Sequence, residues 1–559
     1  MIRSNSVIHQ SIIIGILINM VSLVAYGQQD WEKPAGDIED AKVVIEKDKV
    51  IKLPAVARRF ESIPPELPVK KKKDLKYQIP PISATLTPVP VRLRPRKMQN
   101  EPLKKLYNGM GMLGYGNFNS LYMMADYGTK RSDEYAFHAR FSHFLSSKGP
   151  IQGKKSGAGN TSARMDGRVF LNKSTLSGIL DYHRTSFHYY GLEPIALQAV
   201  DKSIIKQYFN NYSAKIAISS NEAKQPVDYQ VKARVNYLSD RFALSENIVG
   251  LTSHVNTRLS DDWKIDVLAN FSSIRQKDLT IGSINRRYLA LRPMIAYQWF
   301  DILFKGGIGF YNENDPISTS STHIYPDVSA TYTGIEHLTI QFTLNGEMEE
   351  VTLAGMVKKT PYLASHVDVN HNLRPLGAKL KLEGDINSRM SYGLSYSYDA
   401  YDRIGYYLNT PADTSRLNLV YDLGNTSIGH LMAGWRLKWS DLFSLNLNGS
   451  YFTYQTSDLP EAWHRPKYKI ELEASFHPLE ALWIDASLTL IGGIKALDGA
   501  GSVRKLGTIT DLNLAGHYSL TDRAGVFIKL FNITGDNYQL IKNYPVKGFQ
   551  VVGGISYTF

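Results

Sequence analysis

The chain has 559 residues, a formal net charge of +12, 34 tyrosines and 42 glycines, and it contains no cysteine. The missing cysteine excludes disulfides, thiolate metal sites and cysteine nucleophiles. The basic residues are spread along the whole chain and accompany no recognisable nucleic-acid-binding module, so we expect no nucleic-acid partner. Abundant tyrosine and glycine are typical of long amphipathic strands with aromatic belts at a membrane interface.

The first 27 residues have the features of a secretory signal peptide. Arg3 precedes a short apolar run from Ser11 to Ala25, and the small residues Ala25 and Gly27 stand before the predicted cleavage point. A run of roughly 15 apolar residues is shorter than the roughly 20 that a transmembrane helix needs. No cysteine follows, which excludes a lipoprotein anchor. The mature chain is therefore predicted to begin at Gln28.

Residues 28–104 differ in composition from the rest of the chain. Eleven of the 24 prolines lie here, around a run of four lysines from Lys70 to Lys73. Proline at this spacing interrupts both helix interiors and sheet ladders. We therefore predict an extended, semi-rigid segment with one short element near Ala41–Leu53. The residues after this segment are predicted below to form a membrane barrel, and we therefore expect the segment itself to lie in the periplasm.

From residue 105 to residue 559, alternating segments follow one another, separated by Asp, Asn, Ser and Gly. Ala378–Ile386 and Tyr468–Phe476 place apolar side chains on one face and charged ones on the other, as in a wall between lipid and water. A soluble β-sandwich shows the same alternation, but it would seldom repeat it so often without a second domain type.

Nine ionic side chains are predicted to line the lumen of this barrel: Lys232, Arg234, Lys379, Lys381, Glu383, Asp385, Lys469, Glu471 and Glu473. They could bind a polar solute or a plug inserted by another protein. Internal salt bridges that keep the barrel rigid are the interpretation we favour for any single residue.

Short polar turns alternate with longer links, as in membrane barrels whose short turns are periplasmic. The four tryptophans nearest the short turns occupy the positions that an interfacial belt predicts: Trp263, Trp299, Trp439 and Trp483. Counting strands under this alternation predicts an all-β fold, an antiparallel transmembrane barrel of about 22 strands with a range of about 18 to 24.

No catalytic constellation stands out, and we expect neither enzymatic activity nor a cofactor or metal. A membrane-embedded hydrolase would need His183 or His188 to meet a nucleophile such as Ser186. In a strand, however, His183 and Ser186 point to opposite faces. We therefore interpret these histidines as belt or lumen residues.

The last strand carries an apolar face suited to lipid: Phe549, Val551, Ile555, Tyr557 and Phe559. It resembles the terminal recognition strand of bacterial outer-membrane proteins, which implies that the barrel-insertion machinery is a partner during biogenesis. Lys529–Tyr538, followed by Tyr544-Pro545 and this strand, resembles the end of a TonB-dependent receptor barrel.

That family carries a large amino-terminal plug, whereas only the proline-rich segment 28–104 precedes the barrel here. The resemblance therefore implies a plugless relative, and it carries over neither substrate nor binding residues. Lys42–Glu46 resembles the energy-coupling box of the family, although local strand formation explains these residues equally well.

A lumen of this size left open would leak solutes, so inward-folded loops, the 28–104 segment or a partner protein has to close it. We predict a subunit of an envelope transport or assembly complex in the outer membrane of a Gram-negative bacterium. Its predicted partners are outer-membrane lipid and proteins that close the lumen from the periplasm or the outer membrane. The alternative is a self-contained porin-like or receptor-like transporter of a polar solute.

Overall fold

The computed structural model describes residues 107–221, 227–280, 282–318, 320–409, 413–499 and 501–559. The predicted signal peptide, 1–27, and the predicted proline-rich segment, 28–104, lie outside the described residues. Antiparallel strands make up most of the described chain, joined by connections that contain three short α-helices. None of the helices in this described part is long and apolar enough to cross a membrane.

The strands are listed in chain order. They are β1 Gly109–Gly116, β2 Ser120–Gly128, β3 Tyr135–Ser146, β4 Ala158–Phe170, β5 Ser174–His188, β6 Lys206–Ser220, β7 Val227–Asp240, β8 Ser245–Arg258, β9 Trp263–Asp278, β10 Gly282–Trp299, β11 Ile302–Asn314, β12 Ser321–Ile335, β13 Leu338–Glu349, β14 Asn372–Asn387, β15 Met390–Asn409, β16 Leu417–Ser440, β17 Phe443–Gln455, β18 Tyr468–Leu479, β19 Leu482–Gly492, β20 Lys495–Leu497, β21 Val503–Lys505, β22 Ile509–Ser519, β23 Ala524–Phe531, β24 Gln539–Ile541, β25 Tyr544–Pro545 and β26 Gln550–Thr558. The helices are α1 Pro194–Ala199, α2 Lys202–Ile205 and α3 Leu353–Lys359. Two small hairpins, β20–β21 and β24–β25, stand apart from the 22-stranded main sheet.

The main sheet closes on itself. Each of its strands pairs antiparallel with the next, and β26 returns to pair with β1, matching Leu113 with Ile555 and Gly114 with Gly554. At Gly116 an added Cβ would lie 1.9 Å from the carbonyl oxygen of Val551, so only glycine fits this close approach. A sheet whose first and last strands pair has no open edge. The predicted closed barrel and its strand number are confirmed.

The barrel has a short-turn end and a long-loop end. At the short-turn end, five connections have two residues each: 300–301, 336–337, 388–389, 441–442 and 480–481. The long-loop end carries the extended connections, namely 189–205, 350–371, 456–467, 493–508 and 532–549. Strand β16 has 24 residues, whereas about 9–11 tilted residues cross a bilayer. The wall therefore projects well beyond one membrane surface.

The outer face of the barrel is apolar. Ile216, Ile324 and Ile555 are each more than 60% exposed, and many other large apolar side chains on alternate strand positions are exposed in the same way. The four predicted belt tryptophans are 45% to 58% exposed, and all lie at the short-turn end. A closed barrel with such a surface satisfies its backbone internally and suits lipid. The closed barrel and its apolar outer face indicate a protein of the Gram-negative outer membrane.

The main buried cluster lies at the long-loop end. We call it the mouth cluster, and it comprises Phe187, Tyr189, Tyr190, Leu197, Ile205, Phe209, Leu238, Leu244, Leu353, Met356, Val357, Leu363, Val367, Val369, Leu417 and Tyr544. These residues come from connections and strand ends that are far apart in the chain. The long loops are thus held together over the barrel interior by apolar packing.

Candidate functional site

The connection 350–371, which joins β13 to β14 and is called the inner loop below, folds into the barrel. It contacts side chains of β7, β8, β9 and β10 on one side. On another side it contacts Arg403 of β15 and Leu417 at the start of β16. A segment that reaches strands so far apart around the barrel has to lie across the lumen.

Helix α3 stiffens the first half of the inner loop. Thr352 is its N-cap, and the Thr352 hydroxyl accepts a hydrogen bond from the Gly355 N–H at 3.1 Å. The helix ends before Pro361, which disfavours helical backbone at the preceding residue. Three apolar side chains at helical spacing form its buried face: Leu353, Met356 and Val357. This face packs into the mouth cluster and seats the helix.

The start of the inner loop is held by a buried ion pair. The Arg286 guanidinium donates to the Glu246 carboxylate at 3.0 Å, and neither side chain is exposed. Glu246 also accepts hydrogen bonds from the N–H groups of Leu353 and Ala354 at 2.9 and 3.1 Å. Arg286 donates to the Val351 carbonyl at 2.9 Å. A carboxylate is stabilised at the first turn of a helix, where N–H groups lack internal partners.

The end of the inner loop is held by a second group of buried charges. Arg403 pairs with Glu313 and lies 3.4 Å from Asp315. The Arg403 Nε donates to the carbonyl of His371 at 2.6 Å, and the His371 N–H donates to Asp315 at 2.5 Å. The four side chains are at most 4% exposed. Both ends of the inner loop are therefore anchored by charge rather than by apolar contact alone.

His371 also links the two ends of the inner loop. Its Nδ1 accepts a hydrogen bond from the Val351 N–H at 3.1 Å, so the neutral ring carries its proton on Nε2, 3.6 Å from Asp315. Burial, reinforced by Arg286, lowers the pKa of His371 to about 3. Burial raises the pKa of Asp315 to about 6. At neutral pH the ring is thus neutral and the carboxylate charged.

Tyrosines from separate connections seal the mouth. The rings of Tyr362 and Tyr544 stack with centroids 3.6 Å apart, and Tyr190 meets Tyr544 edge-on at 4.8 Å. The Tyr189 hydroxyl donates to the carbonyl of Leu363 in the inner loop at 2.6 Å. Buried tyrosine is stable when its hydroxyl has a partner, so these rings can fill the mouth without an energetic penalty for their polar ends.

Between the inner loop and the short-turn end, the lumen is polar. A cavity of about 870 Å³ lies beside β12 to β18, and five of the predicted lumen residues border it: Lys379, Lys381, Glu383, Asp385 and Glu473. Lys381 pairs with Glu383 at 2.7 Å, and Lys469 pairs with Glu471 at 2.7 Å. Leu380, between two of these lysines, is 45% exposed on the opposite face. Part of the charge is thus neutralised within single strands.

The other two predicted lumen residues lie on β7. Arg234 donates to both carboxylate oxygens of Glu350, at 2.5 and 2.6 Å, and to Ser272 at 2.8 Å. Lys232 lies two residues earlier on the same face, opposite Thr252 of β8. Arg234 therefore contacts the first residue of the inner loop, a role that its sequence position alone did not suggest.

On the closing strand, four of the five predicted lipid-facing side chains are exposed, and Val551 is partly buried. The alternate residues Gln550 and Ser556 are buried. The Gln550 amide donates to the hydroxyls of Ser120 and Ser146, at 2.7 and 3.0 Å. The closing strand is therefore tied to β2 and β3 as well as to its ladder neighbours.

Neither histidine of the hydrolase alternative contacts Ser186 in the part of the chain that the structure describes. His183 contacts Thr185 at 3.1 Å, and His188 contacts a backbone carbonyl at 2.8 Å. Ser186 donates to a different backbone carbonyl at 3.2 Å. Among the described residues, no group of three His, Asp or Glu side chains could hold a metal ion.

Sequence reasoning missed the charges that anchor the inner loop: Glu246, Arg286, Glu313, Asp315, His371 and Arg403. They lie near strand ends, where charge is ordinarily solvated, and alternation identifies the connections between strands only as short turns and longer links. The available signal was their shared position at the long-loop end of β8, β10, β11, β14 and β15. Charges gathered at one end of neighbouring strands can meet around a single segment.

These features define the class of the fold, a closed all-β antiparallel barrel of 22 strands. The structure is similar to that of the FrpB iron transporter from Neisseria meningitidis, F3-3 variant, with a TM-score of 0.62 at 9% identity over 82% of each chain.

Two further receptors are similar. The ferric-catecholate import receptor Fiu from E. coli K12 gives a TM-score of 0.59 at 9% identity, over 81% of this chain and 82% of that one. The siderophore receptor PirA from Pseudomonas aeruginosa gives 0.55 at 11% identity, over 82% and 81%. At these identities the likeness shows the fold alone. No family model and no curated protein matches the sequence.

Proposed function

We propose that this protein is an outer-membrane transport barrel, similar in kind to TonB-dependent receptors, whose lumen is closed by its own inner loop. The observation that carries the proposal is the anchoring of the inner loop at both ends, by Glu246 and Arg286 and by Asp315 and Arg403. Barrels of 22 strands have a lumen that is plugged. Closure from within the barrel favours the self-contained transporter over a subunit that needs a partner to seal it.

The lumen suits a polar solute. Lys379, Lys381 and Glu383 border the larger cavity together with hydroxyl and amide side chains, and small-molecule sites use a few convergent polar groups to orient their ligands. FrpB, Fiu and PirA are named for iron and siderophores. For this chain the proposal extends to a polar solute and no further.

Passage of a solute requires the inner loop to leave the lumen. Glu349 and Asn372, the residues on either side of it, pair directly across the β13–β14 ladder. The inner loop can therefore swing out while the hairpin that bears it stays intact. Its anchors are discrete contacts, which break without unzipping the barrel wall.

The same pairing gives the test. Residues 350–371 are replaced by a short Gly–Ser linker, which the Glu349–Asn372 pairing allows, and both proteins are reconstituted in planar bilayers. We expect the intact barrel to remain closed and the variant to conduct steadily. Equal conductance from the two barrels would refute closure by the inner loop. Uptake of sugars into liposomes then measures passage of uncharged polar solutes.

A subunit of an envelope complex is the second candidate, and the position of the larger cavity favours it. Glu336 and His337, in a two-residue turn, border this cavity at the short-turn end, where a periplasmic partner could insert a peptide. The test is purification of the tagged protein from its native outer membrane in mild detergent. Stoichiometric partners would support this candidate, and a protein that purifies alone would count against it.

A further inference from the structure

A second cavity lies between α3 and the wall formed by β3 to β8. It has a volume of about 520 Å³, and five cationic side chains border it: Arg140, Arg164, Lys215, Arg234 and Lys358. Asp181 is the one carboxylate among its described lining residues. The cavity is therefore basic where the larger one carries both signs.

The three arginines at this cavity have acidic partners. Arg140 pairs with Asp126 at 2.5 Å, and Arg164 lies 3.2 Å from Asp166 and 3.3 Å from Asp181. Arg234 is held by Glu350, as described above. The charges of these arginines are thus neutralised by neighbouring carboxylates. The arginines form part of the cavity wall but do not give the cavity its excess positive charge.

The two lysines at the cavity, Lys215 and Lys358, differ from the arginines because they lack acidic partners among the described residues. Within the part of the chain that the structure describes, no carboxylate lies within ion-pair distance of Lys215 or Lys358. Lys215 is directly opposite Arg234 in the β6–β7 ladder, and the carboxylate beside Arg234, that of Glu350, is engaged by Arg234 itself. Lys358 approaches from the inner loop, and His183 borders the same space. Lysines from the wall and from the inner loop thus border one cavity, whose described lining contains a single carboxylate, Asp181.

We propose that Lys215 and Lys358 bind a small multivalent oxyanion, a phosphate or a polycarboxylate, in this cavity. An oxyanion there accepts charge-assisted hydrogen bonds from both ammonium groups. The neighbouring side chains of His183, Asn211 and Ser213 also border the cavity and offer further donors. This inference rests on the proposed transport function, because it specifies which class of polar solute the barrel would take.

Such an anion bridges the fixed wall and the movable inner loop. Lys215 belongs to β6, whereas Lys358 belongs to α3, which is seated by the mouth cluster. Bound anion therefore stabilises the seated position of α3, and displacement of the inner loop separates the two lysines. Binding and closure are coupled by this geometry, and a ligand can shift such an equilibrium only through its unequal affinity for the two positions.

The test is isothermal titration of the purified full chain in detergent at low salt, with inorganic phosphate and with citrate in separate experiments. The variants are Lys215→Gln, Lys358→Gln and the pair together. Each loss of a charged donor is expected to weaken binding about tenfold. Lys359→Gln is the matched control, because Lys359 follows Lys358 in α3 but does not border the cavity, and it should bind like the unmodified protein.

Binding of phosphate alone, or of citrate alone, supports the site and identifies which oxyanion it takes. Absence of binding by both probes would overturn the proposal, as would unchanged affinity in the double variant. Gel mobility with and without heating shows whether each variant has folded as a barrel. The transport proposal fails on a separate result, the conductance of the barrel without residues 350–371, so the two failures are distinguishable.

Discussion

The guanidinium of Arg286 lies 3.0 Å from the carboxylate of Glu246, and both side chains are completely buried. Removing two charges from water costs several kcal/mol per ion. Their mutual attraction and their hydrogen bonds to Val351, Leu353 and Ala354 offset this cost. Because all three backbone partners belong to the inner loop, the ion pair keeps these hydrogen bonds only while that loop is seated.

Arg286→Ala should therefore release the inner loop. Leaving one buried charge unpaired costs about 3–5 kcal/mol, and we expect raised conductance in bilayers together with a lower unfolding temperature. Arg287→Ala is the control, because Arg287 is exposed and contacts Asn312 instead. If the Arg286 variant stays as closed and as stable as the control, the ion pair does not anchor the loop.

The second anchor predicts opposing responses to acid. The pKa of His371 is lowered from 6.5 to about 3, so a released loop binds a proton more readily, and acid favours release. The pKa of Asp315 is raised from 3.8 to about 6, so the seated loop holds that proton more readily, and acid favours closure. Between about pH 6 and pH 4 the two contributions nearly cancel, and the intact barrel should change little.

Single substitutions should expose each contribution. In Asp315→Asn only the His371 effect remains, so conductance should rise as the pH falls from 6.5. In His371→Asn, where an amide oxygen can still accept from Val351, conductance should fall as the pH drops through about 6. The measurement is conductance against pH in the same lipid. Parallel pH profiles for the two variants would contradict this assignment.

The tyrosine seal should protect the inner loop from proteases. Tyr362→Ala removes a partly buried ring that stacks on Tyr544. The loss should cost less than the roughly 3–5 kcal/mol of a fully buried aromatic residue, and trypsin should then cleave after Lys358 or Lys359. Tyr544→Phe keeps its ring and loses a hydrogen bond to Ser415, worth about 0.5–1.5 kcal/mol. Cleavage should be rapid in the first variant and slow in the second. Equal rates would show that ring packing does not hold the mouth.

Two neighbouring residues of β14, Leu380 and Lys381, should differ in how much a change of charge lowers the stability of the barrel. Leu380→Arg places a charge on the lipid face, at a cost of about 2–4 kcal/mol near the middle of the bilayer. Lys381→Leu changes the lumen side and should alter stability little, since its loss mainly frees Glu383. Urea unfolding in lipid vesicles measures both. A larger loss for Lys381→Leu would mean that the two faces have been assigned the wrong way round.

Alternation was enough to predict the barrel, because each face of a strand meets one medium and Leu380 and Lys381 therefore differ. It placed Arg234 in the lumen by the same rule. It could not supply the partner of Arg234, since Glu350 stands in a loop whose path depends on contacts far apart in the chain. The burial of Glu246 and Arg286 could not be predicted from the sequence either, because it also depends on the path of that loop. A charge at a strand end looks identical in sequence whether water or another charge faces it.

The pairing of β1 with β26 has a consequence for assembly. Until Gln550–Thr558 joins the sheet, the other strands form a ribbon with unpaired N–H and C=O groups along β1 and β23, and such edges invite pairing with other chains. The final contact joins segments at opposite ends of the barrel sequence, which makes it entropically costly and slow. The backbone groups near the Gly114–Gly554 contact therefore stay unpaired longest during assembly. Until that contact forms, they need protection from pairing with other chains.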